Sequence, residues 1–224
     1  MNVNKYSLLL INSLLFSFVF ANKIAVATKI KGVVEILSVS NKDFSTLRPG
    51  TVLSDGDKIR TGSKGFVAII FIDDKSTLKL KENSEVVITG QRTAASISKK
   101  INMDIGTIRA TVNKQKTDFV IQTPTSVASV KGTDFWLVTD PESGDQVIGI
   151  EGVIGLINNE TGQEVDVSEG MSGISTPDGN LGLQETDPSS IPDDPSQEVE
   201  GPSELRIYLE GPNGEQKVMI IEYQ

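Results

Sequence analysis

The fold of this 224-residue chain is decided by the stretch Gly50-Thr-Val-Leu-Ser-Asp-Gly-Asp-Lys-Ile-Arg-Thr-Gly62. It sets turn-forming glycine, aspartate and threonine between apolar residues that suit a β-core. A second stretch, Thr123-Pro-Thr-Ser-Val-Ala-Ser-Val-Lys-Gly-Thr-Asp-Phe135, is built in the same way and adds a proline, which marks a strand start or a sheet edge. The two stretches therefore predict corners of a β-domain.

Short apolar runs continue this pattern from residue 24 to about residue 174. They are rich in Val, Ile, Phe and Thr and recur about every 8 to 12 residues, which is typical of an all-β fold. Residues 66–72 are continuously apolar, so we expect this strand to be covered on both faces. Residues 77–81 alternate, which directs two leucines to the core and two lysines to water. The polar segment 90–100 is expected to be a surface loop.

The N-terminus has the features of a secretory signal peptide. One positive charge, Lys5, precedes an apolar run at residues 8–20 that ends in Val19-Phe20-Ala21. A membrane span needs about 20 apolar residues, which is longer than this run. We expect cleavage after Ala21 and a periplasmic or secreted protein with no membrane span after cleavage; an uncleaved anchor is the alternative.

Composition argues against several classes of function. The chain has 21 basic and 30 acidic residues, and loss of residues 1–21, which contain only Lys5, leaves a net charge of −10. Such a charge repels phosphate backbones and anionic lipid, so nucleic acid is not an expected partner. Histidine and cysteine are both absent, which removes the groups used by most nucleophile–base pairs and zinc sites. We therefore expect no enzyme activity, no metal and no cofactor.

The C-terminal part divides into a linker and a hairpin. Residues 184–204 hold seven acids, four prolines and no base, and they cannot bury enough apolar surface to offset their ordering entropy. We predict a main domain at 22–182 and a disordered, acidic, Pro-rich linker at 183–204. Alternating runs predict a β-hairpin at 205–224. Because an isolated hairpin is marginal in water, we expect it to dock on the main domain, a second copy or a partner.

Four motifs follow one another along the chain. They are Lys31-Gly-Val-Val-Glu35, residues 47–62, residues 67–80 and residues 123–135, and residues 151–155 and 167–171 continue them. In this order they resemble the FecR domain family of bacterial envelope proteins, best known in the periplasmic part of iron-uptake signalling regulators. The resemblance covers about residues 24–175. It implies a compact, β-solenoid-like stack of short strands.

The chain departs from the family pattern in three places. Asp73-Asp74-Lys75-Ser76 replaces the family's Asp-Gly-Ser turn, and Lys131 stands where arginine is usual. The iron-uptake regulators also carry a cytoplasmic helical segment that holds a sigma factor, and a membrane span. Neither is expected here, so the resemblance implies an exported module without direct sigma-factor regulation.

The motif residues are interpreted as structural. Glycine tolerates positive φ and close backbone approach, while Asp and Thr side chains can fix a turn by hydrogen bonds to nearby backbone groups. Phe135 is expected to enter the core. The full set is Gly56, Asp57, Thr61, Gly62, Thr123, Pro124, Gly132, Thr133 and Phe135.

Trp136, the single tryptophan, is the candidate partner contact. Strand alternation places it on the face opposite Phe135, where it is either buried under a neighbouring segment or exposed as an anchor of the kind that binding sites favour. Four aspartates are either turn residues or calcium ligands, although their spacing does not match an EF-hand loop. They are Asp55, Asp57, Asp73 and Asp74.

Three functions remain open from the sequence. The favoured one is an exported, non-enzymatic module that binds a protein partner or signals in the bacterial cell envelope. The alternative is a carbohydrate- or cell-wall-binding module, assisted by calcium. A sugar-cleaving enzyme would need only two carboxylates about 5 to 9 Å apart, but thirty acids make such pairs common by chance.

Overall fold

A computed structural model of the protein describes residues 22–92, 96–114, 117, 119–198, 204–210 and 215–222. The signal peptide predicted at residues 1–21 lies outside these residues. Within them, no helix is long and apolar enough to cross a membrane.

Strands dominate the described part of the chain. They are β1 (Lys23–Lys31), β2 (Val34–Leu37), β3 (Ser45–Thr46), β4 (Val52–Ser54), β5 (Asp57–Thr61), β6 (Phe66–Phe71), β7 (Thr77–Leu80), β8 (Glu85–Arg92), β9 (Ile97–Val112), β10 (Phe119–Gln122), β11 (Ser126–Val130), β12 (Thr133–Asp140), β13 (Gly144–Glu151), β14 (Val153–Asn158), β15 (Glu164–Ser168), β16 (Met171–Ser175), β17 (Leu181–Glu185), β18 (Glu204–Glu210) and β19 (Gln216–Glu222).

The first seventeen strands form two layers that share β9. Sheet A has the order β4-β1-β6-β7-β9-β12-β13-β16-β17, and sheet B has the order β3-β2-β5-β8-β9-β10-β11-β14-β15. The β9–β10 pair is parallel, and the other pairs in the described residues are antiparallel. The prediction of an all-β protein with a C-terminal hairpin is confirmed, and the solenoid-like stack stays a prediction.

β9 passes from sheet B to sheet A at Gly106. Up to Ile105 it pairs with β8, and from Gly106 onward it pairs with β12. Gly106 has a φ of 123°, and a Cβ at this position would lie 2.2 Å from Ser84 Oγ. Both the backbone angle and the close approach of Ser84 therefore require glycine.

Replacing Gly106 with alanine is expected to lower the free energy of unfolding by about 2 kcal/mol or more, because the φ is strained and Ser84 must move. Urea unfolding measures the change. Gly182→Ala is the matched control, since a Cβ at Gly182 would meet no atom within 4 Å. Equal losses in the two variants would contradict the role of Gly106.

One apolar core lies between the two sheets. It is formed by inward-facing residues of most of these strands, and within it Phe71 meets Phe119 edge to face at 5.6 Å between ring centroids. Every residue of β6 is buried, which confirms the expected covering of that strand on both faces. Leu78 and Leu80 of β7 point into the core as predicted, whereas Lys79 is ion-paired rather than free in water.

The polar segment 90–100 is not a surface loop over its described residues. β8 extends to Arg92 and β9 begins at Ile97. The two strands pair with each other, with Arg92 opposite Ile97 and Gln91 opposite Ser98. The prediction of a loop rested on the polar composition of the segment, but one of its polar residues, Lys99, faces inward. Its side chain is fully buried between two aspartates, so the alternation Ile97, Lys99, Ile101 is that of a strand with one face inward.

The tail differs from the predicted linker. Residues 183–185 belong to β17 and pair with β16, so sheet A extends beyond residue 182. Residues 186–198, which we call the strap, contain two short 3-10 helices, Pro188–Ser190 and Pro195–Glu198. The second of these helices contacts β6. The described part of the linker therefore lies against sheet A instead of extending into solvent.

The C-terminal hairpin, β18 and β19, packs on the same chain. Ile207 and Ile221 are 6% and 4% exposed and form an apolar cluster with Val26 and Ile70 on the outer side of sheet A. The sequence allowed the hairpin to dock on the main domain, on a second copy or on a partner. In the structure it packs against the main domain.

Candidate functional site

The first corner joins β4 to β5 around Gly56. Gly56 has a φ of 84°, and a Cβ there would lie 2.7 Å from Val39 Cγ2, so the turn requires glycine. The Asp57 carboxylate is 2% exposed and accepts hydrogen bonds from the amides of Ser54 (2.8 Å) and Val39 (3.3 Å). Asp57 therefore acts on the backbone of its own turn.

Thr61 and Gly62 close the end of β5. The Thr61 hydroxyl accepts a hydrogen bond from the Ser84 amide (2.9 Å), which ties β5 to the start of β8. The Gly62 amide donates to the Val33 carbonyl (2.9 Å). Gly62 has no positive φ, and a Cβ there would lie 3.4 Å from Val33, an ordinary contact. The expected need for glycine at this position is therefore not seen.

The second corner is organised by a buried carboxylate that the sequence did not single out. Asp145, 2% exposed, accepts hydrogen bonds from the hydroxyls of Thr123, Ser126 and Thr139. The Thr123 hydroxyl in turn accepts from the Ser126 amide (2.8 Å). Pro124 lies between β10 and β11, and its carbonyl accepts from the Asn159 side chain (3.1 Å). The corner of sheet B is thus tied to sheet A.

The end of this motif enters the core. Gly132 has a φ of 80°, and Phe135 is fully buried in the main core. Thr133 is 4% exposed, and its hydroxyl is the buried side-chain polar atom without a partner among the described residues. The motif residues therefore build corners and core, and they do not converge on an open cleft.

The four candidate calcium ligands are used in other contacts. Asp55 accepts a hydrogen bond from the Gly90 amide (2.9 Å). Asp73 and Asp74 contact the Lys99 ammonium at 2.9 and 2.8 Å. Across the described part of the chain, no three acidic residues are grouped so that they could hold a metal ion.

A charged cluster lies on the outer face of sheet A. Lys79, Arg109 and Trp136 stand side by side on β7, β9 and β12. Arg109 makes a bidentate pair with Asp134 (Nε–Oδ1 2.9 Å, Nη2–Oδ2 2.8 Å). Asp194 of the strap then accepts from Lys79 Nζ (2.7 Å) and Arg109 Nη1 (2.9 Å). We call Lys79, Arg109, Asp134 and Asp194 the outer-face cluster.

Trp136 lies beside this cluster and is not exposed. It is 2% exposed, and the Arg109 guanidinium carbon is 5.7 Å from its ring centroid, within cation–π range. Trp136 is therefore not an exposed partner contact. Of the two alternatives predicted for it, the structure shows the buried side chain. In this structure a partner cannot reach the Trp136 ring directly.

The FecR family model matches residues 57–155, from the start of β5 into β14. This match includes Asp57, Thr61 and the whole of the second corner. Residues 57–155 are a FecR domain. No curated protein matches the chain.

Two solved structures are similar to this chain. Both are crystal structures of a candidate anti-sigma factor from Parabacteroides distasonis. One has a TM-score of 0.50 at 14% identity and the other 0.48 at 16% identity, and each match covers 58% of this chain. The chain spans 60% of the length of each neighbour. At this identity the likeness of the first shows the fold alone.

Hydrogen bonds in the outer-face cluster shift the pKa of Asp194 and of Arg109. Burial raises the pKa of Asp194, but hydrogen bonds from Lys79 and Ser196 outweigh this effect and lower it from 3.8 to about 2. The hydrogen bond from Arg109 to Asp134 raises the pKa of Arg109 above its ordinary value. Asp194 and Arg109 are therefore both ionised at neutral pH.

The strap contact is expected to weaken in acid between pH 3.8 and about pH 2. The folded-state pKa of Asp194 lies below its ordinary value, so the stabilisation is complete above pH 3.8 and is lost as pH falls through the folded pKa. A carboxyl-carbon NMR titration, with Asp194→Asn used to assign the signal, measures the midpoint. Lys79→Met should move the midpoint upward, and an unchanged midpoint would contradict this cause.

The outer-face cluster was not predicted from the sequence. Its signal was present in the alternation of β7 and β12, which puts Lys79 opposite Leu78 and Asp134 on the same face as Trp136. Two features could not be predicted from the sequence. They are the strand pairing that places β7, β9 and β12 side by side, and the contact of Asp194 with the first two of them.

Proposed function

We propose that the protein is a non-enzymatic module of the bacterial cell envelope that binds a protein partner in a signalling system. The observation that carries the proposal is the FecR domain at residues 57–155. The first solved neighbour, described as a candidate anti-sigma factor, has the same fold and is in line with a signalling role. Periplasmic or secreted location is part of the proposal and rests on the sequence of residues 1–21.

The geometry of the motif residues supports a scaffold role. The carboxylates of Asp57 and Asp145 are engaged with backbone amides and hydroxyls of the same corners. A catalytic acid or nucleophile needs access to substrate, and these groups are 2% exposed. Histidine and cysteine are absent from the sequence.

Crosslinking in the native envelope, followed by affinity recovery and mass spectrometry, tests this proposal. We expect one or a few envelope proteins to be enriched over a control chain of matched charge. The proposal fails if the chain turns over a defined substrate and a single Asp→Asn change abolishes that turnover.

A polar depression on the outer face of sheet B favours a second candidate, carbohydrate binding. It has a volume of about 560 Å³ and is lined by hydroxyl, amide and ammonium groups that can hydrogen-bond a sugar. Its residues include Thr89, Gln91, Lys100 and Gln122. Calorimetric titration with a glycan panel, with and without calcium, tests it, and Gln122→Ala should abolish any binding found there.

A further inference from the structure

The strap is attached to the outer face of sheet A at two separate places. It begins at Thr186, whose hydroxyl is 2.9 Å from that of Ser172 on β16, and it reaches β7 and β9 at Asp194. Neighbouring strands are about 4.8 Å apart, so β9 lies about 14 Å from β16. Residues 186–194 can span this distance, and a direct path between these two attachment points crosses β13 and β12, where Trp136 and Ile148 are buried.

The strap is held at its far end by charge rather than by apolar burial. No side chain of residues 186–196 is among the buried apolar residues, and Ile191 is 38% exposed. Asp194 makes the two ion pairs with the sheet, and the hydroxyl of Ser196 accepts from Lys79 Nζ (2.9 Å). Such contacts are weakened by salt and can be exchanged for equivalent ones.

The surface under the strap is basic in a chain whose net charge is −9. Beside Asp193 and Asp194 lies a cavity of about 240 Å³ that is bordered by three lysines and Glu82. The lysines are Lys31, Lys64 and Lys81. Without the two strap aspartates, the cavity and the adjoining outer-face cluster present five cations and two carboxylates.

Arg109 is already oriented for an incoming carboxylate. Asp134 accepts hydrogen bonds from Nε and Nη2 of Arg109, and these two bonds fix the plane of the guanidinium group. The Nη1 group then donates to Asp194. A preoriented Arg with a nearby Lys suits an aspartate, and the Trp136 ring beside it supplies an apolar surface. The strap sequence Asp194-Pro-Ser is the ligand that this site holds in cis.

We propose that the outer face of sheet A binds an acidic segment of a protein partner, and that the strap occupies this site until the partner displaces it. The site recognises a carboxylate followed by a tight turn, through Lys79 and Arg109, and displacement uncovers Trp136. The proposal rests on the proposed function as a protein-binding module. It names the surface and the chemistry of the partner.

Trp136 reports on the strap in the full-length chain, because it is the single tryptophan. We expect Asp194→Asn to increase acrylamide quenching of its fluorescence at least twofold, with an unchanged far-ultraviolet circular dichroism spectrum. Asp187→Asn is the matched control: Asp187 is also a strap acid, but its side chain bonds only to Ser189 in the strap itself. Its quenching should equal that of the wild type.

A peptide of residues 186–198 added in trans then tests the site itself. We expect it to restore low quenching in the Asp194→Asn chain, whereas the same peptide with asparagine at position 194 should not. The wild-type chain should not respond at the same concentrations, because the tethered strap has an effective concentration of the order of millimolar. Adding Arg109→Ala to Asp194→Asn should remove the response.

Three results would overturn the proposal. They are unchanged quenching in Asp194→Asn, a Trp136 that becomes accessible but does not respond to the peptide, and a wild-type dimer in analytical ultracentrifugation that Asp194→Asn dissociates. The last would make a second copy the occupant. If the peptide fails while envelope proteins still crosslink, the proposed function stands without this site; if it binds and no protein crosslinks, the proposed function fails alone.

Discussion

Replacing Lys99 with methionine is expected to lower the free energy of unfolding at pH 7 by about 3–5 kcal/mol. The Lys99 side chain is fully buried, and the Asp73 and Asp74 side chains are 13% and 14% exposed. Methionine fills most of the same volume, so little packing is lost. The dominant loss is electrostatic, because two largely buried carboxylates remain without a cation.

Urea unfolding measures this effect, with Lys100→Met as the matched control. Lys100 is the next residue of β9 and is exposed, so its replacement should change the free energy of unfolding by no more than about 0.5 kcal/mol. Adding Asp74→Asn to Lys99→Met should recover part of the loss, because the two positions are coupled. Equal effects at positions 99 and 100 would show that the buried ions do not stabilise the fold.

Local sequence patterns predicted much of the fold. Turn residues located the corners at Gly56 and Gly132, alternation gave the inward faces of β7 and β12, and the apolar run of β6 indicated a strand covered on both sides. These features depend on neighbours along the chain. The C-terminal hairpin was also predictable, because its two runs are adjacent in sequence.

Contacts between distant residues were not predictable. Lys99 was assigned to a surface loop because its two partners lie about 25 residues away on another turn. The turn Asp73-Asp74-Lys75-Ser76, which departs from the family pattern, is a second example. In the structure this turn supplies both carboxylates that contact Lys99, and Lys75 adopts a φ of 61° in the left-handed region.

The candidate site was harder still to predict. Residues 186–198 have the composition of a solvated linker, and their acidic charge was counted against any ordered contact. That charge is what attaches Asp194 to Lys79 and Arg109, which lie 115 and 85 residues away. The composition of such a segment indicates the entropic cost of ordering it. It does not indicate the basic surface that offsets this cost, because Lys79 and Arg109 lie on strands far away in the sequence.

Replacing Asp145 with alanine is expected to lower the free energy of unfolding by about 3–5 kcal/mol. The carboxylate accepts hydrogen bonds from Thr123 and Ser126 of the sheet B corner and from Thr139 of sheet A. Alanine removes the cost of burying a charge, but it leaves these buried hydroxyls without their acceptor. Hydrogen bonds to a charged group contribute about 1.5–3 kcal/mol each, so loss of three outweighs the gain.

Two further substitutions separate this role of Asp145 from a general loss of charge. Asp145→Asn keeps the volume and one acceptor oxygen, so its loss should be about 1–2 kcal/mol. Asp166→Ala removes an exposed acid of β15 and should change the free energy of unfolding by no more than about 0.5 kcal/mol. In Asp145→Ala, hydrogen exchange should also quicken at the Thr125 and Ser126 amides, which donate to the Thr123 hydroxyl. If these amides stay protected, the corner is held by its backbone and Asp145 does not link the two sheets.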